Sequence, residues 1–266
     1  MTNDTNHILK IKEENAFYTS VVRDFYKPMD LCHDEKHFDE VYNEAMKLGF
    51  WSAVNNIISM YDLRLLLAAA AYHDVGRCKG DNLHDKYSCD MINDAHQITS
   101  ILYNNFETIE LDVIKETIAA HRRSHKATSE IARILKDADK ISRTNRERAL
   151  YRFIGFNYTH IYMEKYGDTL ELTKIIQHVP NLSDQKEIKA EIIKRFTDYY
   201  NKSKSDEKGM NMHIHNSIAA QHIYHNNEKG LVYPPTDEEM DRVFPIIMND
   251  LAHKIETVGL YLPEEK

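Results

Sequence analysis

At 266 residues, 42% of them hydrophobic, and with a formal net charge of −8, the chain can bury a large core and is too acidic for a general nucleic-acid binder, which clusters Lys and Arg against phosphates. Three cysteines, Cys32, Cys78 and Cys89, lack CxxC spacing, which argues against a disulfide framework or zinc finger and for a reducing cytosol. The opening MTNDTNHILK has no apolar signal core, and no run approaches the ~20 apolar residues of a membrane span, so a soluble cytoplasmic protein is expected. Only 8 Gly and 6 Pro punctuate long stretches of helical periodicity, which predicts an all-α fold.

Residues 1 to about 30 read as a helix or two, with Phe17, Val21, Val22 and Phe25 spaced for an apolar face and nothing catalytic in view. In DLCHDEKHFDEVYNEAMKLGF, Asp34 is the expected N-cap of a helix whose inner side carries His37, Val41, Ala45 and Leu48 and which is predicted to end at Gly49. His37 faces inward from the first turn, and His33, one turn earlier, is expected outside the helix. The stretch LLLAAAAYHDVGR is apolar on every face, so its helix should be buried all round, yet it ends in His73 and Asp74. An unpartnered carboxylate there would cost several kcal/mol, and a divalent metal ion is the economical partner. Gly76 is expected to let the helix stop and the chain turn, bringing both side chains to one centre.

Arg77 and Lys79 follow in a polar loop, and His84 opens a helix carrying Tyr87 and Met91. Further on, Ile114, Ile118 and His121 share a face at i, i+4 and i+7. Thr128 or Ser129 can cap the next helix, with Glu130 in its first turn. Its buried stripe is Ile131, Ile134, Leu135 and Ala138; Asp139 stands four residues after Leu135, while Asp137 points elsewhere. Beyond Ile141 the pattern stays helical but loses obvious chemistry. One long helix is expected from Ser142 to Gly167, two more over Leu170 to His178 and Ser183 to Tyr200, a linker at KSKSDEKG, and two final helices separated by a Tyr-Pro-Pro turn. His213, His215, His222 and His225 form a second histidine-rich stretch without a carboxylate at matching spacing, which favours helix packing or a surface face. Tyr151, Tyr158 and Tyr162 could stack on a base, but core packing is the safer reading.

His37, His73, Asp74, His121 and Asp139 thus each sit at or near the end of an apolar stripe. Mixed imidazole and carboxylate ligands suit Mn, Fe, Co, Ni or Zn, whereas an all-oxygen shell would suggest Mg or Ca. The ordered set H, HD, H, D, with YHDVG and LKDADKIS, resembles the HD-domain superfamily of metal-dependent phosphohydrolases over roughly residues 30 to 145. The resemblance implies a helical bundle holding one or two divalent transition-metal ions through His37, His73, Asp74 and Asp139, with Asp74 bridging in a two-metal site. Histidines added between the HD pair and the last Asp in some members correspond here to His84 and His121, with His125 a weaker match. Asp74, His84 and His121 are then the expected catalytic residues.

Arg77, Lys79, Arg122, Arg123, Lys126, Lys140 and Arg143 cluster in sequence around these positions. Most are expected to be solvated; Arg77, Lys140 and Arg143 are the candidates to receive a phosphate. Residues 1–266 are read as a single all-α unit, with an HD core at about 30–145 and a helical extension over 146–266. The expected activity is hydrolysis of a nucleotide or other small phosphoester. An HD-type di-iron oxygenase and a non-catalytic nucleotide sensor are the alternatives. The expected partner is a small phosphorylated substrate, a nucleotide first, with no general nucleic-acid binding and no membrane, and a homo-oligomer is left open.

Overall fold

Several helix starts follow caps carried by the sequence. The computed structural model describes residues 2–27, 29, 32–79, 83–94, 97–122, 125–142, 147–151, 153–155, 157, 161, 182–205, 216–224 and 234–258. Helix α1 spans Thr2–Phe17 and continues through a π-helical turn, Tyr18–Val22. Helix α2, Glu35–Val54, begins at Asp34, whose side chain accepts from the His37 N–H. Helix α3, Met60–Tyr72, opens with a capping box between Ser59 and Asp62. Helices α4, His84–Asn93, and α5, Ser100–Asn105, are short. Helix α6, Thr108–Ala120, has a second capping box from Glu107 and Glu110, and α7, Glu130–Ser142, takes its cap from Ser129 through the Ala132 N–H. Among the described residues there is no strand, and no helix is long and apolar enough to cross a membrane.

Helix α3 is the axis of this unit, with α1, α2, α6 and α7 packed against it. Every residue from Leu63 to Tyr72 is buried, as an all-round apolar helix requires. Each buried Leu or Ile contributes about 2 kcal/mol by removal from water, and Val41, Leu48, Leu66, Ile114, Ile118 and Leu135 all close on this axis without exposure. Arg64 is the exception to the apolar rule. Its guanidinium donates to Glu14 at 2.9 Å and to the Asn105 carbonyl at 2.7 Å and lies over the Phe106 ring, so the buried charge has its partners.

Two glycines act differently from the sequence expectation. Helix α2 does not end at Gly49 but continues to Val54, and the chain turns at Asn56, whose φ is 57°. A Cβ on Gly49 would meet Leu63 Cδ1 at 2.6 Å and Leu66 Cδ2 at 2.7 Å, so the residue serves the close approach of α2 to α3. A Cβ on Gly76 would stand 2.2 Å from the His84 carbonyl oxygen and 2.3 Å from the Ser88 nitrogen. Its job is therefore to seat the turn after α3 against the start of α4. Ser88 secures that contact, accepting from the Gly76 N–H at 2.9 Å and donating to the His73 carbonyl at 3.1 Å.

The chain divides into two compact units, the first of residues 1–29, 33–142 and 213–229, the second of 30–32, 143–212 and 230–266. The first thus takes in a segment from far beyond the 30–145 stretch. Helix Ile218–Tyr224 lies on α2 and α7. Asp137 accepts from the Asn216 N–H at 3.1 Å, the Ser217 N–H at 2.7 Å and the Ser217 hydroxyl at 2.9 Å, and from the Asn216 side-chain amide. Glu130 accepts from the Ile218 N–H at 2.7 Å, so two acids of α7 satisfy the start of this helix. At its other end Tyr224 bonds Glu44 and Lys47, and His222 stacks on Trp51 with ring centroids 4.8 Å apart. The expected face of His222 and His225 thus resolves for His222 into ring packing; His213, His215 and His225 lie outside the described residues.

In the second unit, helices Leu182–Ser205 and Asp237–Val258 and the helical residues 147–151 and 153–155 share an apolar cluster of Leu150, Ile154, Ile188, Ile192, Phe196, Val243 and Phe244. Tyr151 is half-buried against this cluster, whereas Tyr158 and Tyr162, and the helix expected over Leu170 to His178, lie outside the described residues. The expected linker at 202–209 begins inside a helix that runs to Ser205.

Candidate metal centre

The ligand candidates arrive at one place because five different helices begin or end there. His37 is in the first turn of α2, His73 is the C-cap of α3, His84 is the first residue of α4, and His121 is the C-cap of α6. Asp139 comes from the last turn of α7. All five are buried, as is Asp74, which is 1% exposed. Helix ends carry side chains beyond the helix barrel, so several chains can converge where a helix interior would keep them apart.

Asp74 sits between two imidazole pairs. Its Oδ2 lies 3.4 Å from His37 Nε2 and 3.5 Å from His73 Nε2, and its Oδ1 lies 3.3 Å from His84 Nε2 and 3.6 Å from His121 Nε2. Asp139 Oδ1 is 3.6 Å from His37 Nε2, which places it on the His37 side. Two groups therefore have their donor atoms close enough to share an ion: His37, His73 and Asp74, and Asp74, His84 and His121.

The outer hydrogen bonds set the imidazole tautomers. His73 Nδ1 is 2.8 Å from the Ala70 carbonyl and His121 Nδ1 is 2.5 Å from the Ile118 carbonyl, and a carbonyl only accepts, so both protons are on Nδ1. Ser142 donates to the Asp139 carbonyl at 2.7 Å, which leaves its oxygen to accept from His37 Nδ1 at 3.2 Å. The Nε2 atoms of His37, His73 and His121 consequently present lone pairs. Those of His37 and His73 face each other at 3.3 Å, and among the described residues no hydrogen-bond donor is aligned to either Asp74 oxygen. Opposed lone pairs around a buried carboxylate repel one another, and a divalent cation among them would turn the repulsion into coordination. This donor set fits a transition metal, with outer carbonyls and a hydroxyl orienting the rings as such sites require.

Electrostatics agree with neutral imidazoles around an ionised acid. Burial depresses His37 to about 4 and also lowers His73. At Asp74, burial pushes the carboxyl upward, but the Arg77 charge outweighs it and holds the group well below the usual carboxylate range. A histidine that resists protonation when folded makes the fold weaker in acid. Its contribution is complete above the unfolded value of 6.5 and is lost as pH falls toward about 4. His37 alone then costs about 2 kcal/mol of stability by pH 5, and His73 shifts in the same sense. The Asp74 contribution is lost only below its ordinary value near 3.8, outside this window. Chelator-treated protein is accordingly expected to melt several degrees lower at pH 5 than at pH 7.5; an equal or higher melting temperature at pH 5 would contradict the neutral-imidazole assignment.

Of the basic residues, Arg77 is brought into the cluster: its Nε is 2.8 Å from Asp74 Oδ2 and its Nη2 is 3.4 Å from His84 Nε2. Lys140 is half-buried on α7 beside Asp139, and Arg143 and Arg123 lie outside the described residues. Lys79, His125 and Lys126 are exposed. His33 is also buried, edge-on to the His37 ring with centroids 5.5 Å apart, so both histidines of the first motif turn inward.

Sequence reasoning missed three supports. Tyr26 donates to the Ala71 carbonyl at 3.0 Å and accepts from the Asp74 N–H at 3.3 Å, tying the N-terminal segment to the HD turn. Ser142 orients His37; its place three residues after Asp139, on the same helix face, was the available signal. The third is the pair formed by Arg122 and Asp85 at 2.9 Å, two residues each adjoining a histidine of the cluster.

Residues 41–144 match the family model described as HD domain, a span that contains His73, Asp74, His84, His121 and Asp139 and begins after His37. Comparison with curated proteins and with solved structures gave no match.

Proposed function

Given that residues 41–144 carry an HD domain, the module of a superfamily of metal-dependent hydrolases, we propose that this chain is a phosphohydrolase acting on a nucleotide or another small phosphoester. The observation that supports it is the placement of Asp74, with one oxygen toward His37 and His73 and the other toward His84 and His121. We read this as a two-ion site with Asp74 as the shared ligand, His37, His73 and Asp139 on one side and His84 and His121 on the other. The ions, drawn from Mn, Fe, Co, Ni or Zn, would polarise a phosphoryl oxygen and make hydroxide available near neutral pH.

The protein's own part is positional and electrostatic. Asp74 holds both halves of the cluster to one centre, and the neutral imidazoles keep their Nε2 lone pairs available. Arg77 supplies a fixed cation beside Asp74; in this reading it and Lys140 receive the substrate phosphate. The acidic remainder of the chain favours a small anion met by a few local cations over a polyanion. Free Cys32, Cys78 and Cys89 suit a reducing, cytoplasmic setting.

The test is a panel of nucleoside mono-, di- and triphosphates, cyclic nucleotides, dinucleoside polyphosphates and simple phosphoesters, run with each metal with and without oxygen. Phosphate or nucleotide release with Mn, Co or Ni, undiminished under nitrogen, is expected. Turnover that needs both reduced iron and oxygen would replace the hydrolase by an oxygenase, and silence across the panel would favour a nucleotide sensor.

A further inference from the structure

The two halves of the cluster are held by different means. His37 and His73 belong to a capped helix start and to the end of a fully buried helix, where packing and the bonds to Ser142 and the Ala70 carbonyl fix them. His84 and His121 come from two short stretches of chain that no shared helix joins. His84 opens α4 behind Leu83, which makes no side-chain cap, and His121 is the last half-helical residue of α6. Their Nε2 atoms nevertheless stand 3.1 Å apart.

The residue following each histidine supplies the missing constraint. Arg122 Nη1 donates to Asp85 Oδ1 at 2.9 Å, joining the start of α4 to the end of α6 one residue away from the imidazole pair. Arg122 is gripped from its other end as well: Lys136 of α7, 7% exposed, donates from Nζ to the Arg122 carbonyl at 2.9 Å and to the His125 carbonyl. A carboxylate in the first turn of α4 suits that helix's dipole, and the Lys136 ammonium lies against the chain just beyond α6. Arg122 is thus fixed at its side chain to α4 and at its backbone to α7.

We infer that Arg122, clasped by Asp85 and Lys136, is a positioning residue that sets the spacing of His84 and His121 and thereby governs binding of the second metal ion, without touching that ion. The inference rests on the two-ion reading above. A merely structural ion pair with a side chain 29% exposed would contribute little to stability, and its loss would leave both ions in place. A positioning role loosens one ion and spares the other.

The experiment is Mn(II) titration of chelator-stripped, refilled full-length protein, followed by calorimetry and by the electron paramagnetic resonance signal of an exchange-coupled Mn pair. Wild type is expected to bind two ions and give the coupled signal. Arg122→Ala should keep the first ion at wild-type affinity and lose roughly 10–100-fold in the second, the range for residues that orient ligands, with the coupled signal gone. Arg122→Lys should recover part of the affinity, and the swap of Asp85→Arg with Arg122→Asp should recover more than either single change. Asp85→Asn, which keeps the shape of α4, makes the same measurement if Arg122→Ala fails to fold. Two ions at wild-type affinity in both Arg122→Ala and Asp85→Asn would overturn the clasp, as would parallel loss of both ions. A single ion in wild type would instead overturn the two-ion reading and the inference with it.

Discussion

Wild-type protein is expected to purify with a transition metal and Asp74→Ala without it, and the variant should lose roughly a thousandfold or more in the proposed hydrolysis, as loss of several kcal/mol of charge stabilisation implies. Among the described residues Asp74 is the one carboxylate within reach of all four Nε2 atoms, at 3.3–3.6 Å. Without it the His84 and His121 half retains no negative charge to offset a cation, and the His37 and His73 half keeps only that of Asp139. Arg77, now 2.8 Å from Asp74 Oδ2, would be left as a local positive charge that repels an incoming ion. Asp74→Asn keeps the shape and removes the charge, so it should behave in the same way and separate electrostatics from packing. His222→Ala, which disturbs only the stack on Trp51, should retain metal in full. Elemental analysis decides the matter: metal at wild-type stoichiometry in both Asp74 variants would remove the basis for the metal centre.

The second large effect separates two acids of α7 that differ by two positions in sequence. Asp139→Ala should leave the fold intact and weaken metal binding at least tenfold, because Asp139 lies on the His37 side of the cluster, 3.6 Å from Nε2. Asp137→Ala should do the reverse. Its carboxylate accepts four hydrogen bonds from Asn216 and Ser217, and removing it strands those donors in a buried place. Bonds to a charged group are worth about 1.5–3 kcal/mol each but are not additive, so a loss of about 3–5 kcal/mol is expected, or roughly 10 °C in melting temperature. Metal content at temperatures where the variant is folded should match wild type. Differential scanning calorimetry alongside metal analysis tests both limbs; equal metal loss in the two folded variants would show that Asp137 also faces the centre.

The sequence by itself determined the helical class and the buried axis. Ten consecutive residues from Leu63 to Tyr72 allow no exposed face, and a helix of that kind must lie among others. Caps at Asp34 and at Thr128 or Ser129 were readable because their short-range chemistry involves residues three positions apart, and the structure uses Asp34 and Ser129. The inward phase of His37 followed from the same local period, as did the separation of Asp139 from Asp137. The order of H, HD, H and D was enough to suggest the family, since that pattern is carried by the chain itself.

What the chain could not disclose locally was decided by contacts across long stretches of sequence. Gly49 and Gly76 read as punctuation, yet both are sites of close approach, to the Leu63 and Leu66 side chains and to the backbone of α4. A missing Cβ looks the same in a sequence whichever use is made of it. Asp137 turns away from the cluster, but its partners lie 79 and 80 positions further on, beyond any helical periodicity. The same holds for Tyr26, which reaches Asp74 from 48 residues away, and for Arg122, which meets Asp85 across 37. Local propensity settles which residues are helical and which side faces inward; a polar group buried by tertiary packing must find its partner wherever the fold brings one, and that choice exists only once the helices have assembled.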